Sequence, residues 1–129
     1  MSGDEISLTL PADDAFHRVA HLVLGGFAVR FDLTVESLDD LELALDALLE
    51  RTREEEDVTV GIRLVHGQLQ TTVGPFAAVR AELERDGGDD LNLSRILGAV
   101  CDSIEVADRD GSEWVLLTKR VESLKGAAG

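Results

Sequence analysis

Three histidines, one cysteine and a few serines are the side chains whose types invite chemistry in this sequence, and their spacing decides what each could do. His17 and His21 stand at i, i+4 on a stretch of helical pattern, a spacing that can bring two imidazoles onto one metal ion. No glutamate or third histidine stands at a supporting interval, and His66 falls in a His-Gly turn, so the pair reads first as partly exposed helix residues. Cys101 has no second cysteine to bridge and no histidine beside it in sequence. Next to Val100 it reads as a small buried hydrophobe rather than a nucleophile. Ser94 lacks the context of a nucleophile elbow, and Gly87-Gly88, followed by Asp89 and Asp90, reads as a surface loop. Trp114 is the single tryptophan; it is expected to pack in a sheet, or on its outer face to anchor a partner.

The elements that must position these residues follow from periodicity. ISLTL places Ile6, Leu8 and Leu10 on one side at period two, and Pro11 ends that strand. Asp13 or Asp14 is expected to cap a helix whose core face is Phe16, Val19, Ala20, Val23 and Phe27, running to about residue 31. Gly25-Gly26 lies inside it, at a cost of about 1 kcal/mol per glycine, and either allows close packing or makes a local bend. Thr34 or Ser37 caps a second helix striped by Leu38, Leu41, Leu45 and Leu48, with Asp39, Glu42, Asp46 and Glu50 falling away from the stripe. The charged run from Arg51 to Asp57 reads as a frayed helix end and a solvated loop. VTVGIRLV and QLQTTV then form a hairpin about His66-Gly67, stopped by Gly74-Pro75. FAAVRAELERD predicts a short helix with Phe76, Val79 and Leu83 in phase, and LNLSRILGAVCDS another with Leu93, Ile96, Leu97 and Val100 inward. IEVAD and SEWVLLTKR make a second hairpin, and residues 122–129 read as a disordered tail. The order β-α-α-β-β-α-α-β-β predicts a two-layer α/β sandwich, an α+β arrangement with a mixed sheet of about five strands covered on one face by helices.

With 129 residues the chain is expected to form one domain, residues 5–121, large enough to bury roughly two-thirds of its unfolded surface. Twenty-six acidic against 12 basic residues give a formal net charge of -14, which repels phosphate backbones and leaves no basic patch. Direct nucleic-acid binding is therefore not expected, whereas a basic protein partner fits. MSGDEISL has no basic n-region, and no run of about 18 apolar residues occurs, so neither a signal peptide nor a membrane span is expected. The single cysteine agrees with a cytoplasmic location.

In this order the segments resemble the anti-sigma-factor serine kinases of the RsbW type, members of the GHKL superfamily, whose ATPase domains have the Bergerat fold. ISLTLPA is similar to that family's opening strand, DDLELALDAL to its long helix, and LGAVCDSIEVADRDGSEWVLLTKRV to its final helix and hairpin with a closing T-K-R. The resemblance implies a helix continuing E-A-x-T-N, whose glutamate orients or deprotonates the reacting hydroxyl and whose asparagine binds the magnesium on ATP. Here those two positions are Ala47 and Arg51. A slip of one residue would offer the carboxylates of Asp46 and Glu50 instead, but would move Leu45 and Leu48 out of their matching places. Of the family's D-x-G-x-G, TTVGPFAA keeps only Gly74. In place of G-x-G-L-G-L the chain reads GGDDLNLSRIL, with Leu91 and Leu93 at glycine positions and Asp89 and Asp90 where phosphates would lie. A degenerate pocket near Ala47, Arg51, Gly74, Gly87, Gly88 and Asp89, with no catalytic residue, metal or cofactor, is the expectation.

What the resemblance implies is a bacterial regulator that acts by protein-protein contact, with a sigma factor and a STAS-type anti-anti-sigma protein as partners, and a homodimer. The alternatives are an active ATP-dependent, magnesium-dependent protein-serine kinase with a divergent site, and a structural or dimerisation module. The resemblance also points to the first helix as the partner surface, with His17, Arg18, His21 and Arg30 among its polar positions.

Overall fold

The computed structural model describes residues 5–11, 14–51, 57–84 and 92–121. Strand β1 (Glu5–Pro11) leads through a 3-10 turn (Asp14–Phe16) into helices α1 (His17–Arg30) and α2 (Val35–Leu49). Hairpin strands β2 (Asp57–Val65) and β3 (Gln68–Phe76) follow, then helices α3 (Val79–Glu84) and α4 (Leu93–Val100), and the hairpin of β4 (Ser103–Arg109) and β5 (Ser112–Arg120). The five strands form one sheet in the order β1-β2-β3-β5-β4. The two-layer sandwich predicted from periodicity is the one observed.

The strand directions differ from the mixed sheet expected, because every neighbouring pair is antiparallel. Two full-length helices between β1 and β2 return the chain to the end it left, so β2 runs back along β1. β3 and β4 do run the same way, but β5 inserts between them. Both hairpins turn on two residues of positive φ, His66-Gly67 and Asp110-Gly111, whose twist matches that of the flanking strands.

Period-two residues fill the helix-facing side of the sheet: Val58, Val60 and Ile62 of β2, Leu69, Thr71 and Val73 of β3, Val115 and Leu117 of β5. Against them pack Leu41, Ala44, Leu45 and Leu48 of α2, with Leu38 half-buried at the stripe's start. Thr34 is the N-cap of α2; its hydroxyl accepts the Ser37 backbone N–H and bonds the Ser37 hydroxyl, so both candidate capping residues take part. Leu93 and Leu97 of α4 are fully buried, while Ile96 and Val100 are half-buried, and Asn92 caps that helix by accepting from Arg95 N–H.

Five local expectations need correction. The buried face of α1 keeps Ala20 and Phe27 of the expected set and adds Leu24 and Ala28, whereas Phe16 and Val19 are 36% and 37% exposed and Val23 is half-buried. The turn Asp14–Phe16 precedes the helix and Phe16 occupies the N-cap with no side-chain cap bond; Asp13 lies outside the described residues. Gly74-Pro75 does not stop β3, because a register shift between Val73 and Phe76 lets the strand continue and accommodates the proline, which has no N–H for the ladder. Phe76 thereby belongs to β3, and α3 begins at Val79. Asp57 opens β2 instead of closing a loop, while residues 52–56, 85–91 and the tail at 122–129 lie outside the described residues. No described helix is long and apolar enough to cross a membrane.

Candidate functional site

The C-terminal end of α2 is where the resemblance places phosphotransfer chemistry, and its local structure follows from an arginine one residue past the C-cap. Ala47 is buried at 5% exposure and offers only a methyl group. Four residues on, the Arg51 guanidinium turns back: Nη1 donates to the Ala47 carbonyl at 2.8 Å, which satisfies a helix-end oxygen with no intrahelical partner. Its Nε donates to Glu82 Oε2 of α3 at 2.6 Å, and Glu50 Oε1 lies 3.6 Å from Nη1. The result is a clamp between α2 and α3, half-buried on both sides. A guanidinium has no lone pair to give a cation and keeps its charge at every physiological pH, so this position repels the magnesium that an asparagine would ligate. Glu82 is a partner that sequence reasoning did not single out, since nothing in a short acidic helix marks which glutamate meets an arginine 31 positions earlier.

Asp46, the carboxylate offered by a one-residue slip, is engaged elsewhere. Its Oδ1 lies 2.7 Å from His21 Nε2, and the other ring nitrogen of His21 stands 3.7 Å from Glu42 Oε2. Glu50 is exposed on the solvent side of the clamp. Asp46 and Glu50 thus have different neighbours, His21 for the first and Arg51 for the second.

Gly74 has a different explanation from a nucleotide approach. A Cβ built there would lie 2.5 Å from Trp114 Cδ2 and 2.7 Å from its Cε3, so the indole of β5 lies directly over the glycine of β3. Val115 next to it is fully buried beneath the helices, which puts Trp114 on the opposite face of the sheet. Arg109 covers the indole at 5.3 Å from the ring centroid. Gly74 therefore points away from the layer that holds Ala47 and Arg51. Gly87, Gly88 and Asp89 lie outside the described residues.

Of the four polar positions expected on the first helix, His21 is held by α2, His17 is half-buried, and Arg18 and Arg30 are exposed, Arg30 lying 5.5 Å over the Phe31 ring. Between them the outer face carries Leu22 and Val29, 76% and 79% exposed, which the sequence reading left out because it placed the apolar face of α1 elsewhere. No group of three or more His, Cys, Asp or Glu side chains with metal-binding geometry occurs among the described residues. Burial pushes the Cys101 thiol up from near 9 to about 11, against the pull of Lys119, so the reactive thiolate is scarce at neutral pH. Lys119 itself bridges layers: its Nζ donates to the Val100 carbonyl at the end of α4 at 3.0 Å and pairs with Asp40 of α2 at 2.9 Å.

Neither the protein-family models nor the curated proteins contain a match to this chain. Among solved structures it is similar to the crystal structure of the RsbU and RsbW domains of Rv1364c from Mycobacterium tuberculosis, with a TM-score of 0.68 and 15% sequence identity over 92% of this chain and 32% of that one. The chain therefore spans about a third of the length of that neighbour. Identity at this level speaks for the fold alone, and the fold shared with that neighbour is an α+β sandwich: an antiparallel five-stranded sheet with the described helices on one face.

Proposed function

We propose that this chain is a cytoplasmic regulator of the partner-switching type that acts by binding other proteins, through a GHKL-like fold whose nucleotide site no longer handles ATP. One observation supports the reading: at the end of α2 a buried alanine and a clamped arginine stand at the positions for which the resemblance implies a general base and a magnesium ligand. Against the kinase alternative stands the Asp46 carboxylate, one oxygen of which already pairs with His21. The partners proposed are a sigma factor, a STAS-type protein, and a second copy of the chain. Complementary charge supports a basic partner, because a net charge of -14 steers association with positively charged surfaces and raises the on-rate at low salt.

Self-association is assigned to the outer face of α1, where Leu22 and Val29 lie exposed between Arg18 and Arg30; a basic partner would meet the acidic surfaces elsewhere, since this helix carries no acidic residue. The test is Arg18→Glu with Leu22→Glu, two exposed positions away from the core. A lost or weakened oligomer by light scattering, with an unchanged thermal melt, is the expected result. An unchanged oligomeric state, or a protein monomeric before substitution, would remove α1 as the self-association surface. Substituting His21 would not serve, since a glutamate there meets Glu42 and Asp46 and reports on the fold.

A further inference from the structure

Strand β4 is an edge of the sheet, and its pairing with β5 is regular from Arg109↔Ser112 to Ser103↔Thr118. The two-residue turn makes Arg109 and Ser112 the first hydrogen-bonded pair, so Ala107, Glu105 and Ser103 spend their N–H and C=O groups on β5. Ile104 and Val106 lie at the alternate positions and turn theirs to the open edge. No described strand pairs with them there. Their side chains stand opposite the buried Leu117 and Val115, on the helix side of the sheet, yet are only half-buried because the helix layer stops short of this edge. Between β4 and the α3–α4 pair lies a cleft of about 550 Å³ lined by Leu83, Gly98, Ile104 and Val106, with Glu84 and Asp102 on its polar side. That volume falls within the roughly 300–1,000 Å³ of ligand-binding clefts.

An open strand edge running beside an apolar groove is the arrangement by which sheets take up extended peptides: the backbone of the edge supplies hydrogen bonds, and alternate side chains enter the groove. The charges select the sign of the peptide. Arg80, the one cation among the described lining residues, already holds Asp108 at 3.0 Å and approaches Glu113, whose other oxygen accepts the Arg80 backbone N–H. Glu84 and Asp102 face the cleft, although one Asp102 oxygen also accepts the Arg120 backbone N–H, and Glu105 is exposed on the outer side of β4. We propose that β4 and the α3–α4 groove bind a basic, extended peptide segment that adds to the sheet as a sixth strand and places apolar side chains over Leu83, Ile104 and Val106. This site is separate from the α1 face and stands whether or not the regulator reading holds.

The test uses the full chain and the blocked peptide acetyl-Lys-Val-Lys-Val-Lys-Val-amide, followed by amide chemical shifts. Shifts concentrated on Ile104, Val106 and the α4 residues around Gly98 are expected. Gly98→Leu should weaken binding at least tenfold with an undiminished melt, because a Cβ at Gly98 meets nothing within 4 Å and the longer side chain fills the cleft while favouring the helix. Val106→Pro, which removes an outward N–H without touching the β5 ladder, should abolish binding. The proposal is overturned if shifts fall on the acidic face of α2 instead, if acetyl-Lys-Gly-Lys-Gly-Lys-Gly-amide binds equally well, or if Gly98→Leu binds like the parent. Concentration-dependent shifts at Ile104 and Val106 without peptide, with the peptide not binding, would assign the edge to a second copy and equally overturn it.

Discussion

Gly74 separates two explanations that look alike in sequence. A surviving glycine of a nucleotide box and a glycine required by an aromatic ring both read as G between short apolar runs. The Trp114 indole, within 3 Å of where a Cβ would go, decides for the ring. Gly74→Ala should force the indole off β3 and cost about 1–3 kcal/mol by overpacking. Urea unfolding would measure that cost, and tryptophan emission shifted to the red would report an indole moved into water. An alanine variant as stable as the parent, with unchanged emission, would return Gly74 to the list of unexplained residues. Ala47 and Arg51 were legible at the same scale, because the resemblance of DDLELALDAL to the family's long helix implies which positions to inspect. Their use was not. That Arg51 turns back onto the Ala47 carbonyl and across to Glu82 depends on α3 packing beside α2, which no interval in the sequence encodes. Lys119 repeats the point: read as part of a closing T-K-R, it proves to tie β5 to the end of α4 and to Asp40 of α2.

At the scale of elements, strands and hairpins were the most readable, since Val58, Val60 and Ile62, then Leu69, Thr71 and Val73, alternate without interruption and each pair closes on a residue-glycine turn. The α2 stripe was equally clear, for leucines at steps of three and four leave one face to bury. The first helix was legible only in part, because it is apolar nearly all round: Ala20 and Phe27 are buried as expected, but Phe16 and Val19 are exposed, the buried Leu24 and Ala28 were missed, and periodicity alone cannot set the edges of so broad an apolar surface. Packing chose the face with Phe27 and Ala28, which continues into the buried Leu33. The choice is measurable. Leu24→Ala should cost about 2–5 kcal/mol, and Leu45→Ala on α2 a similar amount, whereas Phe16→Ala should cost less than about 1 kcal/mol. Equal losses at Leu24 and Phe16 would contradict the orientation of α1.

For the whole molecule, acidity and architecture point the same way. The described helices lie on one face of an antiparallel sheet, with an apolar outer stripe on α1 at one side and an open β4 edge at the other. The C-terminal end of α2, where the resemblance implies a carboxylate and an amide oxygen for a nucleotide and its magnesium, holds a buried alanine and a half-buried arginine-glutamate clamp. Burial of Leu45, Leu48, Val73 and Val115 fixes the sandwich without help from any ligand-binding residue, so the fold by itself specifies no activity. Titration calorimetry of the full chain with ATP and magnesium tests this account most directly. No saturable heat up to millimolar nucleotide is predicted; a single site with micromolar affinity would contradict it and restore the protein-serine kinase.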